Sequence, residues 1–121
     1  EIRFSSRISP ELGEFTGDKV KLEEVILNLL RNAKDAVKDD GVITLSADKE
    51  NSQIVIRCTD NGCGIPDDET DRIFDPFFSH KEGGTGLGLS LSRRIVEAHR
   101  GTISVSSSHE SGTVFTVTLP V

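Results

Sequence analysis

The chain has 121 residues, a formal net charge of −6 and hydrophobic residues at 35% of its positions. This length predicts one domain with a useful core and leaves no room for a second domain of ordinary size. The acidic balance argues against nonspecific binding to nucleic acid or to anionic membranes. Because the chain does not begin with methionine, we expect residues 1–121 to be a single domain cut from a longer protein.

The first part of the chain predicts a strand followed by a long amphipathic helix. Residues 2–8 read as a strand, and Asp18 is a good N-cap for the helix that follows. From Leu22 to Val37 apolar residues recur at three- and four-residue spacing, as the buried face of a helix requires. We expect Gly41 to end this helix as the residue past its C-cap.

The middle of the chain predicts two half-buried strands and a long loop. Apolar and polar residues alternate over 43–47 and again over 54–58, and the polar segment 48–52 suits a hairpin turn between them. Residues 60–88 are rich in glycine and predict a long loop with one short helix after Pro66. Long loops in small domains are usually functional, so this segment is a candidate lid over a ligand.

The last part of the chain predicts a second helix and a closing hairpin. The helix is expected over 87–100 and should be closed by Gly101. Residues 103–105 and 114–119 then form the two arms of the hairpin, around a turn at 109–112. This order of elements predicts an α+β fold, a two-layer sandwich of a mixed sheet with helices on one face.

Amide and carboxylate side chains form a stripe on the first helix. Asn28 and Asn32 are four residues apart and therefore share one face, which Asp35 extends along the flank of the apolar stripe. Carboxamide oxygens placed there can ligate Mg²⁺ at the edge of a core. Taken alone, the pair would be read as two ordinary solvated polar residues.

A carboxylate and two glycines follow the third predicted strand. Asp60 can accept a hydrogen bond from an exocyclic amine, while Gly62 and Gly64 let the backbone approach a flat ring closely. A tight turn with a capping Asp explains the same residues equally well. The segment is therefore only suggestive on its own.

Aromatic residues and glycines dominate the rest of the loop. Segment 73–78 holds three of the six phenylalanines, which either anchor the loop or meet a partner. Segment 83–89 holds four glycines and leads directly into a helix. Free backbone N–H groups and the positive end of the helix dipole make an anion site there, although the pattern matches neither a dinucleotide-binding fingerprint nor a P-loop.

These four segments together resemble the GHKL ATP-binding superfamily, which includes gyrase, heat-shock chaperones, histidine kinases and mismatch-repair proteins. Residues 28–33 are similar to its N box, 60–66 to the first glycine box, 73–78 to the F box and 84–89 to the second glycine box. The resemblance is closest to sensor histidine kinases. Chaperones and mismatch-repair proteins carry a catalytic glutamate near the position of Asn28, which this chain lacks.

The resemblance implies the GHKL-type sandwich with an ATP lid loop, and ATP and Mg²⁺ as ligands. Asp60 would accept from the adenine amino group with help from Thr113 through ordered water. Asn32 and Asn28 would hold Mg²⁺, and Lys81 would join Asn32 as a catalytic residue by reaching the terminal phosphates. The implied nucleotide-binding residues are Asn28, Asn32, Asp35, Asp60, Gly62, Gly64, Ile65, Phe74, Lys81, Gly84, Thr85, Gly86, Leu87, Gly88, Leu89 and Thr113.

The resemblance also implies transfer of the γ-phosphoryl group to a histidine on a separate dimerisation domain of the same kinase. A response regulator receiver domain would be an indirect partner. His80, His99 and His109 lack the helical, acid-assisted setting of a phosphoacceptor, so we expect no autophosphorylation by this chain alone. We expect a cytoplasmic, monomeric domain from a homodimeric parent, whose membrane topology stays open. The alternative is an ATP-binding module of the anti-sigma-factor serine kinase type.

Overall fold

The structure is a computed structural model that describes residues 1–10, 12–13, 15–37, 40–78, 88–108 and 112–121. Five strands and three helices lie in these ranges. In chain order they are β1 (Arg3–Ile8), α1 (Lys19–Ala36), β2 (Val42–Glu50), β3 (Gln53–Asp60), α2 (Asp67–Thr70), α3 (Gly88–Ala98), β4 (Thr102–Ser108) and β5 (Gly112–Pro120). In the described part of the chain, no helix is long and apolar enough to cross a membrane.

The five strands form one mixed sheet in the order β1-β2-β3-β5-β4. β1 pairs with β2 in parallel, whereas the other three pairs are antiparallel. Helices α1 and α3 contact each other and bury one face of the sheet, with Leu29, Cys58, Val96 and Val117 at the centre of the core. The opposite face carries polar side chains, such as the ion pair between Arg7 and Asp48. The predicted two-layer α+β sandwich is therefore confirmed.

Helix α1 begins where the sequence predicts and ends earlier. Asp18 is its N-cap, and the side chain accepts the N–H of Lys21 at 3.1 Å. The helix ends at Ala36, and Val37 turns to extended backbone while its side chain joins the core. The prediction that Gly41 closes the helix is wrong. Gly41 lies beyond the end and instead accepts, at 2.8 Å, the N–H of the first residue of β1.

The hairpin between β2 and β3 is tighter than the polar segment 48–52 predicts. β2 continues through Glu50 and β3 begins at Gln53, so the turn consists of Asn51 and Ser52 alone. Their φ angles of 50° and 64° are those of a two-residue type I′ turn, whose twist matches that of the flanking strands. The solvent-exposed ends of the two strands are as polar as the turn, so composition alone could not show where the strands end.

The end of α3 also differs from the predicted helix over 87–100 with Gly101 as its closing residue. Arg100 is the left-handed residue, with φ of 63°, and the N–H of Gly101 returns to the Val96 carbonyl at 2.9 Å. This is the Schellman arrangement with a non-glycine residue at its left-handed position. Gly101 is required for another reason, because a Cβ atom there would lie 2.3 Å from the carbonyl oxygen of Thr118.

The remaining elements agree with the sequence. The short helix after Pro66 is α2, and the two arms of the closing hairpin are β4 and β5. Of the predicted turn at 109–112, residues 109–111 lie outside the described residues. Gly112 opens β5 with φ of 92°, and a Cβ atom there would lie 2.0 Å from the carbonyl oxygen of Asp60.

Candidate functional site

A buried carboxylate lies at the end of β3. Asp60 is 3% exposed and pairs with Thr113 of β5 in the antiparallel ladder. Its Oδ1 accepts the N–H of Gly62 at 2.8 Å, and the carboxylate also accepts the N–H of Thr113. Burial raises the pKa of Asp60 above its ordinary value, while these two backbone bonds act in the opposite direction. The result is a desolvated acceptor in a fixed orientation.

The loop after Asp60 packs against the end of α1. A Cβ atom on Gly62 would lie 2.4 Å from the Ala36 carbonyl oxygen, which the N–H of Cys63 contacts at 3.2 Å. Gly64 has φ of 76°, a conformation that favours glycine. Both glycines of the predicted box are therefore required by the backbone path alone.

The two cysteines of this region have different environments. Cys58 is buried, and its thiol donates to the Leu29 carbonyl at 3.8 Å. Burial raises the pKa of this thiol to about 11, and the nearby Asp60 carboxylate adds to the effect. Cys63 is exposed in the loop. Both are free thiols.

Asn28 connects α1 to the beginning of α3. Its Nδ2 donates to the Gly88 carbonyl at 3.2 Å and to the Ser92 hydroxyl at 3.1 Å. Because a carbonyl can only accept, the amide nitrogen must face α3, and Oδ1 is the atom that can act as a ligand. The positive end of the α3 dipole is thereby placed beside the amide stripe of α1.

The site extends along α1 between these two regions. Asn28, Asn32 and Ala36 are spaced at four residues and share one face of the helix. Eight residues of helix place the α3 contact at Asn28 about 12 Å from the loop contact at Ala36. Asn32 is half-buried between them, and Asp35 is exposed beside them. The structure thus brings the first two predicted boxes onto one elongated surface.

A hydroxyl network joins the loop to β4 and β5. The Ser107 hydroxyl of β4 accepts the N–H of Ile65 at 2.6 Å and donates to the Gly112 carbonyl at 3.2 Å. It also contacts the hydroxyl of Thr113 at 3.0 Å. Thr113 is 3% exposed and lies across the ladder from Asp60. The Ser107 hydroxyl therefore connects Ile65 to Thr113, whose N–H in turn donates to the buried carboxylate.

The aromatic segment divides between the core and the surface. Phe74 packs edge-on against Phe115 with ring centroids 6.3 Å apart. Phe78 contacts the core, and the Arg72 guanidinium lies 4.9 Å from its ring centroid. Phe77 is 76% exposed and has φ of 68°. The segment both anchors the loop and presents one aromatic ring to solvent.

Comparison with known proteins identifies the family. Residues 17–121 match the family described as histidine kinase-, DNA gyrase B-, and HSP90-like ATPase. The sensor histidine kinase ZraS of Escherichia coli K12 is 42% identical over 121 residues, which cover 100% of this chain and 26% of the relative. The catalytic domain of histidine kinase ThkA superposes with a TM-score of 0.88 at 32% identity, covering 98% of this chain and 78% of that one. The chain belongs to this ATPase family, in its histidine kinase branch.

Other histidine kinases share the same region. Sporulation kinase B of Bacillus subtilis 168 is 42% identical over 105 residues, which cover 86% of this chain and 24% of the relative. The chain spans about a quarter of the length of the curated relatives it matches, at 26% and 24% for the two named here. These likenesses favour the histidine kinase interpretation over the anti-sigma-factor alternative.

Part of the second glycine box of this histidine kinase domain falls outside the described residues. The predicted site residues of the box to which this applies are Gly84, Thr85, Gly86 and Leu87, and the predicted catalytic residue Lys81 before the box also lies outside the described residues. Gly88 and Leu89 are described: Gly88 is the first residue of α3, and Leu89 is half-buried against the core. The described end of the box therefore lies beside Asn28.

Two serines of the histidine kinase site were not predicted. Ser92 lies in α3, is fully buried and contacts Asn28; Ser107 lies in β4 and contacts Thr113. Each had a signal in the sequence, because each occupies an apolar position of its element. Ser92 falls on the helical face that includes Val96, and Ser107 continues the alternation of Val105. A serine at a core position needs a hydrogen-bond partner, which makes it worth inspecting.

Proposed function

We propose that this domain binds ATP with Mg²⁺ and transfers the γ-phosphoryl group to a histidine on a separate domain in two-component signalling. The observation that carries this proposal is the buried carboxylate of Asp60. It is held by two backbone N–H groups at one end of an elongated site whose other end is a helix N-terminus. An amine donor suits the first end, and an anion suits the second.

The adenine end consists of Asp60, the first glycine box and Thr113. Asp60 accepts a hydrogen bond from the exocyclic amine of the base. Gly62 and Gly64 carry no side chain that would hinder a flat ring, and the backbone fixes both positions. Thr113 supplies a further polar atom next to the carboxylate, directly or through an ordered water.

The phosphate end consists of the amide stripe and the beginning of α3. Asn32, with Asn28 beside it, offers the hard oxygen ligands that Mg²⁺ prefers, and the phosphates would complete the coordination shell. The described residues contain no cluster of three or more His, Cys, Asp or Glu that could hold a metal. Amide oxygens are hard donors of the kind that Mg²⁺ accepts beside phosphate ligands. When bound, Mg²⁺ neutralises phosphate charge, and Lys81 would reach the terminal phosphates.

The chemistry that remains for this domain is positioning. Phosphoryl transfer is catalysed mainly by alignment and by electrostatic stabilisation, which a fixed adenine end and a polarised phosphate end provide. The attacking imidazole would come from a dimerisation domain of the same kinase, and the phosphoryl group would pass on to a response regulator. Full-length ShkA, which shares 27% identity and a TM-score of 0.89, was solved in complex with AMPPNP, and this supports a nucleotide at the site.

The test combines binding and transfer. Calorimetry should detect ATP binding to the domain and a loss of about ten-fold or more in affinity for Asp60→Asn. Asp68→Asn is the matched control, because Asp68 is an exposed carboxylate on α2. Incubation with labelled ATP and the dimerisation domain should then give acid-labile label on that domain. Acid-stable label would indicate a serine kinase, and unchanged ATP affinity in Asp60→Asn would refute the adenine assignment.

A further inference from the structure

The proton positions in the Ser107 network follow from its three contacts. The Ile65 N–H can only donate and the Gly112 carbonyl can only accept, so Ser107 accepts from the first and donates its single proton to the second. Its contact with the Thr113 hydroxyl at 3.0 Å then leaves one assignment that satisfies all three bonds. Thr113 must donate its proton to Ser107.

This assignment fixes what Thr113 can offer to a ligand. Its only proton points toward β4, so toward the buried carboxylate it presents lone pairs alone. Asp60 is its partner across the ladder, and paired residues project from the same face of a sheet. Both side chains are 3% exposed, so bulk water cannot easily substitute for a missing partner. The base end of the site is therefore a pair of adjacent hydrogen-bond acceptors.

We propose that Ser107 is a positioning residue that fixes Thr113 as an acceptor and thereby strengthens selection of 6-aminopurine over 6-oxopurine triphosphates. This inference rests on the proposed function and adds a specificity determinant to the same site. Two acceptors placed directly around the 6-position match the two N–H donors of an exocyclic amine, whereas a 6-oxo group brings a further acceptor there. Unpaired buried polar groups make that kind of rejection effective.

Ser107 also anchors the loop, and the test must separate the two roles. Loss of the bond to Ile65 would loosen the first glycine box and weaken every nucleotide to a similar extent. Loss of the bond to Thr113 would free its hydroxyl to rotate and donate, which helps a 6-oxo base and harms a 6-amino base. The ratio of the affinities for ATP and inosine triphosphate therefore responds to the second role and not to the first.

The experiment measures both affinities by calorimetry for the domain and three variants. Ser107→Ala should lower the ATP to inosine triphosphate affinity ratio by about three- to ten-fold, the effect of one hydrogen bond. Ser107→Thr keeps the hydroxyl and should restore most of the ratio. Ser106→Ala is the matched control, an exposed serine on the same strand, and should leave the ratio unchanged.

The outcomes distinguish this inference from the proposed function. An unchanged ratio in Ser107→Ala, even with both affinities weakened, would overturn the positioning role and leave Ser107 as a loop anchor. If Ser107→Ala does not fold, Thr113→Val replaces it, because this variant removes the acceptor and keeps the bond between Ser107 and Ile65. An unaltered affinity ratio in Thr113→Val would also overturn the positioning role. Failure of Asp60→Asn to weaken ATP would instead overturn the proposed function, and this inference with it.

Discussion

The imidazole of His99 accepts the backbone N–H of Asp18 through Nε2 at 3.0 Å. Its Nδ1 lies 2.8 Å from the Ile95 carbonyl, which can only accept, so the proton must sit on Nδ1 and the ring is neutral. The end of α3 is thereby joined to the N-cap of α1. Asn28, in the middle of α1, joins the same two helices at the beginning of α3, so α3 is joined to α1 at both of its ends.

The first prediction concerns this contact. His99→Phe keeps a ring beside Phe15 and removes the acceptor, so we expect it to lower the free energy of unfolding by about 1–3 kcal/mol. His99→Gln can place an amide oxygen near Asp18 and should lose less. Urea denaturation of the two variants measures the difference. A larger loss in His99→Gln than in His99→Phe would show that ring packing, and not the hydrogen bond, is what stabilises the junction.

The second prediction is that Asp60→Asn stabilises the fold while it weakens ATP binding. Burial raises the pKa of this carboxyl above 3.8, so the folded state binds its proton more tightly than the unfolded state does. The stability it contributes is present at acidic pH and is lost as the pH rises through the folded pKa. At neutral pH the ionised group is therefore destabilising.

Urea denaturation at several pH values tests this sign. Asp60→Asn should be more stable than the wild type near neutral pH, and its advantage should shrink as the pH falls toward 4. Asp68→Asn, an exposed control, should show no such convergence. If Asp60→Asn were less stable at neutral pH, the two backbone bonds to the carboxylate would outweigh its burial.

The third prediction separates two glycines of the site by their surroundings. Gly62→Ala would place Cβ 2.4 Å from the Ala36 carbonyl oxygen, so the loop must shift, at about 1–3 kcal/mol in the free energy of unfolding. Among the described residues, a Cβ atom on Gly88 meets only the Asn28 side chain, at 3.7 Å, an ordinary contact. Because alanine favours a helix, we expect Gly88→Ala to leave stability unchanged or raise it by up to ~1 kcal/mol. Thermal unfolding of both variants measures these changes in stability. A destabilised Gly88→Ala would contradict the prediction.

The fourth prediction separates the two asparagines. Asn32→Ala should weaken ATP binding in the presence of Mg²⁺ more than in its absence, because the residue is the proposed metal ligand. Asn28→Ala should in addition lower the stability of the nucleotide-free domain by about 1 kcal/mol or more, because it loses bonds to Gly88 and Ser92. Calorimetry with and without Mg²⁺, together with urea denaturation, measures both effects. Equal losses in Asn32→Ala with and without Mg²⁺ would assign the metal to another residue.

The fifth prediction concerns phosphoryl transfer. The isolated domain should stay unlabelled by ATP, whereas a dimerisation domain added in trans should gain acid-labile label. Phe77→Ala should reduce that transfer without a loss of stability, because the ring is 76% exposed. Phe78→Ala should lower stability instead, since its ring packs on the core beneath Arg72. Label on the isolated domain, or normal transfer by Phe77→Ala, would contradict the prediction.

The sequence predicted the elements and the family, and the structure explains where it was less exact. Helical periodicity and strand alternation are local properties, so the presence of α1 and of the central strands was predicted correctly, whereas the end of α1 at Ala36 was not. The length of the β2–β3 turn depends on how far two strands stay paired, which composition does not report. Arg100 takes the left-handed position, and Gly101 is required by its close approach to Thr118, a contact between distant parts of the chain.

In the candidate site, too, local features were predicted from the sequence and long-range contacts were not. Asp60 and Gly62 were predicted from their order along the chain, and the structure places them at a strand end where they meet. Asn28 was predicted as a ligand, but its bond to Ser92, 64 residues away, could not be read from spacing. The partners of Ser107 are likewise a product of strand pairing.

The difference in exposure between the two thiols allows a fluorescent dye to be attached at one native position. Cys58 is buried with a pKa of about 11, so a maleimide dye at neutral pH has Cys63 as its accessible target. Cys63 lies between the two glycines of the adenine end, and its N–H contacts the end of α1. A fluorophore there would lie beside the proposed adenine site without any engineered cysteine. Nucleotide exchange in the native sequence could then be followed in real time.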